Sequence, residues 1–139
     1  NVVMLAQMLL LQWVAYAALT QSFTWPTALW WHGWSIWVLS AQIEIARKCL
    51  SPDQESAYRD SYSARLGTWG AAALTVGVTA LAVGTMIIAD SDPSYLAAGL
   101  ALALVTGSAI SYARRPNKGL SMVFQGCTVL AYLLVNMIP

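Results

Sequence analysis

Few side chains in this 139-residue sequence could carry chemistry, and each stands alone within a long apolar segment. His32 is the only histidine, and it could relay a proton, sense pH or ligate a haem or a metal ion. Glu44 is the carboxylate placed deepest in an apolar segment, where it could exchange a proton for a transported substrate. Gln12 and Gln125 fall near the middle of two further apolar segments and could line a narrow pore.

Each of these residues also has an ordinary structural explanation. No His, Cys or carboxylate recurs at ligand spacing beside His32, so we expect no metal site and a histidine that is hydrogen-bonded in the bundle or at its interface. A haem, pigment or lipid beside His32 stays an open alternative. Arg47 and Lys48 follow Glu44 by three and four residues, which is the reach of an ion pair on a helix. Glutamines at mid-span usually hydrogen-bond to a neighbouring helix.

The composition indicates the solvent that surrounds the chain. Apolar residues make up 58% and charged residues only 9%, whereas about a quarter of the residues of a soluble domain are charged. We therefore expect an all-α integral membrane bundle, formed as one domain from residues 1–139 and partnered by lipid. The net charge of +1, with no basic stripe, argues against nucleic-acid binding. No nucleophile–base pair, phosphate loop or zinc motif is present, and we expect no enzymatic activity.

Five apolar segments are long enough to cross a hydrocarbon layer about 30 Å thick. They are residues 2–22, 26–46, 67–89, 94–112 and 120–138. In a four-span alternative, the first or the last segment lies along the interface. The loop of residues 47–66 should hold a short interfacial helix from Pro52 to about Ala64, with Ser51 as its N-cap and Gln54 at the capping-box position.

The basic residues provide an independent test of this topology. All seven follow the second and the fourth segments: Arg47, Lys48, Arg59, Arg65, Arg114, Arg115 and Lys118. By the positive-inside rule, five spans then place the N-terminus in the cytoplasm and the C-terminus outside, in what we expect to be a bacterial cytoplasmic membrane. The second segment opens rich in tryptophan, and Trp25, Trp30 and Trp31 suit an aromatic belt at the headgroup level.

Small residues recur at helical spacing in the third and fourth segments. The third carries Gly70, Ala73, Gly77, Ala80 and Gly84, and the fourth carries Gly99, Ala103, Gly107 and Ser111. Each set predicts a flat helix face on which another backbone can pack closely, in the same chain or in a second protein.

Two hypotheses about function follow. The first is a small non-enzymatic membrane subunit that packs through its small-residue faces into a larger complex or a homo-oligomer. The alternative is a small oligomeric ion channel or proton-coupled transporter in which Gln12, Glu44, Gln125 or His32 lines the path.

Overall fold

A computed structural model describes residues 2–21, 27–55, 61–89 and 95–137 of the chain. These residues form helices and their connections, as the composition predicts. The helices are α1 (Val2–Thr20), α2 (Thr27–Arg47), α3 (Pro52–Glu55), α4 (Tyr62–Ala89), α5 (Tyr95–Arg114) and α6 (Lys118–Met137). Each of the five apolar segments therefore forms one long helix.

Three helices in the described ranges are long and apolar enough to cross a membrane. They are Tyr62–Ile88, Tyr95–Arg114 and Lys118–Val135, which coincide with the third, fourth and fifth predicted spans. The prediction of a helical chain with membrane-spanning helices is confirmed at this level. The spans assigned to α1 and α2, and hence the total of five, stay predictions.

Four of the long helices enclose the core. α2 packs against α4, α4 against α5, α5 against α6, and α6 against α2, while α1 packs chiefly on α2. The buried face of α5 repeats every four residues and is made largely of alanine. Its middle consists of Ala101, Val105 and Ala109. Because alanine adds little beyond its Cβ, neighbouring helices approach closely along this face.

The start of the predicted interfacial helix is present, and Ser61 interrupts its predicted range before Ala64. Its start is as expected, because the Ser51 N–H donates to Gln54 Oε1 (3.2 Å), which is the backbone half of a capping box. The described part of this helix is Pro52–Glu55. Residues 56–60 lie outside the described residues. An unbroken helix as far as Ala64 does not form, because Ser61 is non-helical. Ser61 instead caps the start of α4, where its Oγ accepts the Ala64 N–H (3.1 Å).

Gly67 breaks α4 near its beginning. Its φ of 72° and ψ of 166° belong to a region that is essentially restricted to glycine. The break separates a short polar start from the apolar remainder of the helix, and it falls at the residue where the sequence predicts the third span to begin.

Candidate functional site

The chain that leaves α2, residues 48–51, enters the bundle instead of crossing its surface, and we call it the buried link. Cys49 in this link has no exposed surface. Other helices hydrogen-bond the backbone of the link. The Tyr62 N–H of α4 donates to the Lys48 carbonyl (3.0 Å), and the Ser121 hydroxyl of α6 donates to the Cys49 carbonyl (2.7 Å). These bonds replace the water that the buried carbonyls have lost.

Leu50 is held from two further directions. Its N–H donates to Ser63 Oγ of α4 (3.0 Å), and its carbonyl accepts the Tyr112 hydroxyl of α5 (2.7 Å). Tyr112 is completely buried and stacks on Phe124 of α6, with ring centroids 5.5 Å apart and planes 12° apart. The buried link therefore fastens α2, α4, α5 and α6 together at one end of the bundle.

The thiol of Cys49 contributes to packing at this end. It donates to the Ile45 carbonyl (3.3 Å) and lies 4.0 Å from Thr75 Oγ1. Burial raises the pKa of Cys49 to about 11, and the thiol is therefore protonated at neutral pH. A protonated, enclosed thiol is a poor nucleophile, so the arrangement does not favour covalent chemistry at this residue.

The Glu44 carboxylate lies in the last turn of α2 and is paired. Arg47 donates to it twice, from Nε to Oε2 (3.0 Å) and from Nη2 to Oε1 (2.9 Å), and Lys48 Nζ lies 3.7 Å from Oε1. The Glu44 side chain is 37% exposed. Its geometry is therefore that of the ion pair which the spacing predicts.

Gln125 hydrogen-bonds within its own helix instead of to a neighbouring helix. Its Nε2 donates to Ser121 Oγ (3.1 Å), and the Ser121 hydroxyl donates onward to the Cys49 carbonyl. Gln125 thus supports the serine that holds the buried link. Gln12 lies in α1 and His32 in α2, and the side chains of both lie outside the described residues.

Sequence reasoning missed Gln42. This residue is completely buried, and neither its Nε2 nor its Oε1 has a hydrogen-bond partner among the described residues. Ser35 and Gln42 lie seven residues apart on one face of α2, Cys49 follows by another seven residues in the buried link, and this spacing was the available signal. The Ser35 hydroxyl bonds to Thr85 (2.7 Å) and Cys49 lies beside Thr75, so antiparallel packing places Gln42 between these two contacts, level with the part of α4 between Thr75 and Thr85.

The small residues of α5 lie on the outside of the bundle. Gly99, Ala103, Gly107 and Ser111, which we call the α5 stripe, are all exposed. A Cβ added at Gly99 or Gly107 would meet no atom within 4 Å. The buried face of α5 is instead the register of Ala101, Val105 and Ala109.

The corresponding residues of α4 also face outward for the most part. Ala73, Gly77 and Ala80 are exposed, and Gly70 and Gly84 are partly exposed. The residues of α4 that enter the core include Thr75 and Thr79, whose hydroxyls donate back to the carbonyls of Ala71 and Thr75. The two sets of small residues therefore do not form the contact between α4 and α5.

Comparison of the chain with protein-family models, with curated protein sequences and with solved structures gives no match.

Proposed function

We propose that this chain is a small, non-enzymatic integral membrane subunit that packs through the α5 stripe on another membrane protein chain, either a different subunit or a second copy. The observation that carries the proposal is the exposure of four small residues at four-residue spacing on one helix. Such a stripe lets two helix backbones approach closely, and the closeness supplies van der Waals contact where lipid gives no hydrophobic drive.

The energetics of glycine support this proposal. A glycine inside a helix costs about 1 kcal/mol relative to alanine. Gly99 and Gly107 lie inside α5, and an alanine Cβ at either position would meet no atom of the described residues within 4 Å. The packing of this chain alone therefore gives no reason for glycine there, whereas a partner helix lying on the stripe would.

The topology that we propose has five spans. α1 and α2 contain 19 and 21 residues, or about 28 and about 31 Å of helix at 1.5 Å per residue. The ends of α2 and α5 and the starts of α4 and α6 lie together around the buried link, so both basic loops belong to one end of the bundle. By the positive-inside rule this end is cytoplasmic, as is the N-terminus, while the C-terminus lies outside. A bacterial cytoplasmic membrane fits this arrangement.

Extraction in mild detergent tests the proposal. The wild-type chain should elute with a partner chain, and the double variant Gly99→Leu with Gly107→Leu should lose that partner while keeping its helical content. Gly126→Leu is the matched control, because Gly126 is an exposed glycine of α6 that belongs to no stripe, with Met122 and Leu130 four residues before and after it. A monodisperse wild-type monomer without any co-purifying chain, or a double variant that retains its partner, contradicts the proposal.

The amide of Gln42, which has no hydrogen-bond partner among the described residues, favours a second candidate, a small oligomeric channel or proton-coupled transporter. A buried polar group without a partner requires an explanation, and a polar path through the bundle would supply one. Measurement of flux into liposomes separates this candidate from the first. If the chain is a channel or transporter, Gln42→Leu, Glu44→Gln and His32→Ala should all change the flux. The absence of flux through the wild type, or an unchanged flux in all three variants, eliminates the candidate.

A further inference from the structure

The buried amide of Gln42 lies at the same height in the bundle as a threonine of α4. Ser35 precedes Gln42 by seven residues on the same face of α2 and hydrogen-bonds to Thr85 of α4 (2.7 Å). Because α2 and α4 are antiparallel, Gln42 lies about level with Thr79, which precedes Thr85 by six residues. Thr79, like Gln42, has no exposed surface.

α6 brings a second threonine to this height. The Ser121 hydroxyl of α6 donates to the Cys49 carbonyl (2.7 Å), and α2 and α6 run in opposite directions from this contact. Thr128 follows Ser121 by seven residues on the same helix. Gln42 precedes Cys49 by the same number, so the side chains of Thr128 and Gln42 lie at about the same height. Thr128 is also completely buried.

These three side chains, which we call the polar layer, use only part of their hydrogen-bonding capacity. The Thr79 hydroxyl donates to the Thr75 carbonyl (2.8 Å). The Thr128 hydroxyl donates to the Gln125 carbonyl (2.7 Å). Each hydroxyl oxygen therefore keeps lone pairs that can accept a further hydrogen. The amide of Gln42 hydrogen-bonds to neither threonine, nor to any other residue in the described part of the chain.

A small neutral ligand suits the polar layer. Its fourth side is apolar, because the completely buried Val105 of α5 lies two turns before Tyr112, which bonds to the buried link. None of the three polar side chains is charged, so an ion would bring an uncompensated charge into the bundle. An amide that stays unpaired inside a membrane bundle is costly, and water is the smallest molecule that can both donate to it and accept from it.

We infer that the polar layer binds water. One or two molecules accept from Nε2 of Gln42 and donate to its Oε1 and to the hydroxyl oxygens of Thr79 and Thr128. About three hydrogen bonds are typical of a water molecule enclosed in a protein. Gln42→Met would release the water together with the amide and leave both threonine donors bonded as before, so the stability of the bundle should change little. The site is separate from the α5 stripe and does not depend on the proposed function.

Nuclear magnetic resonance of the full chain in lipid nanodiscs, with an isotope label confined to glutamine, tests the inference. The side-chain amide protons of Gln42 should show nuclear Overhauser cross-peaks to water. Because Gln42 has no exposed surface, bulk water cannot produce these cross-peaks. The double variant Thr79→Val with Thr128→Val replaces each hydroxyl by a methyl group, and it should lose the cross-peaks to water while keeping the amide resonances of Gln42.

The double variant Thr79→Ser with Thr128→Ser is the matched control, because it changes the same two positions but keeps both hydroxyls, and it should retain the cross-peaks. The inference is overturned if the amide of Gln42 in the wild type shows no cross-peak to water, a result that requires no variant to fold. It is also overturned if the valine variant keeps the cross-peaks of the wild type, since the threonines would then not hold the water.

Discussion

The hydroxyl of Tyr112 offers the sharpest test of how the bundle is held together. Tyr112→Phe deletes one oxygen atom and keeps the ring, so the stacking on Phe124 at 5.5 Å is preserved. The hydrogen bond to the Leu50 carbonyl (2.7 Å) is lost, and that carbonyl is left inside the protein without this donor. The substitution therefore isolates one bond of the buried link.

The expected magnitude follows from this geometry. Leaving a buried group unpaired costs about 1–3 kcal/mol in soluble proteins, and hydrogen bonds between membrane helices average about 0.6 kcal/mol. We expect Tyr112→Phe to lower the free energy of unfolding by about 1 kcal/mol, which is about a five-fold change in the equilibrium constant. The larger Tyr112→Ala change also opens a cavity and should cost about 3–5 kcal/mol.

Reversible unfolding by sodium dodecyl sulfate in mixed micelles, followed by circular dichroism, measures these changes. Tyr95→Phe is the control, because Tyr95 is 67% exposed and its hydroxyl should contribute almost nothing. A Tyr112→Phe protein as stable as the Tyr95→Phe protein would refute the inference that the link is fastened by its polar contacts.

Three further predictions use the same unfolding assay. Gln42→Met should leave the bundle as stable or stabilise it by about 1–3 kcal/mol, because it replaces a buried amide that has no partner in the described part of the chain with an apolar side chain of similar size. A loss of stability would mean that the amide has a partner. Burial holds the Cys49 pKa at about 11 against 9.0 for a free thiol, so the contribution of the protonated thiol to stability should be complete below pH 9 and be lost as the pH rises to 11. Cys49→Ser should abolish this part of the pH dependence of the free energy of unfolding. A wild type and a variant with the same pH profile would contradict the prediction. Gly67→Ala should lower the free energy of unfolding by about 1–3 kcal/mol, because alanine rarely adopts the φ of 72° found at Gly67. Gly77→Ala should be neutral or stabilising, because alanine is the better helix former and its Cβ has space there. Equal effects of the two substitutions would show that the break at Gly67 is not required.

Local sequence signals were sufficient to locate the long helices. Runs of apolar residues marked the five segments, and Ser51 with Gln54 marked a helix start that the structure contains. The pairing of Glu44 with Arg47 also follows from spacing alone, because residues three apart on a helix are neighbours. These features depend on residues within one or two helical turns of each other, so no knowledge of the bundle is needed to predict them.

Features that depend on contacts between distant segments were not predictable in the same way. Small residues occupy two registers of α5, one containing Ala101 and Ala109 and the other containing Ala103 and Gly107. The registers are two residues apart and lie on nearly opposite faces, and spacing alone does not say which one is buried. Only packing against α4 and α6 decides that the alanine register faces inward.

The buried link escaped prediction for a related reason. A polar segment between two apolar ones is usually on the surface, because its backbone needs water. Here the partners that replace water come from far along the chain, with Tyr112 lying 62 residues and Ser121 lying 72 residues from the carbonyls they bind. The same long-range packing leaves Gln42 enclosed, although its seven-residue spacing from Ser35 and Cys49 could have drawn attention to that face of α2.

The proposal that the α5 stripe binds another chain is tested most directly by the mass of the particle in its own membrane. Extraction with an amphipathic polymer would capture the chain in a disc of native lipid without detergent. Mass spectrometry would then measure the total mass of the protein in the disc. We predict a protein mass above the 15.0 kDa of one chain, which falls to the mass of a single variant chain when Gly99 and Gly107 are both replaced by leucine. A wild-type particle that holds a single 15.0 kDa chain and no other protein would contradict the proposal.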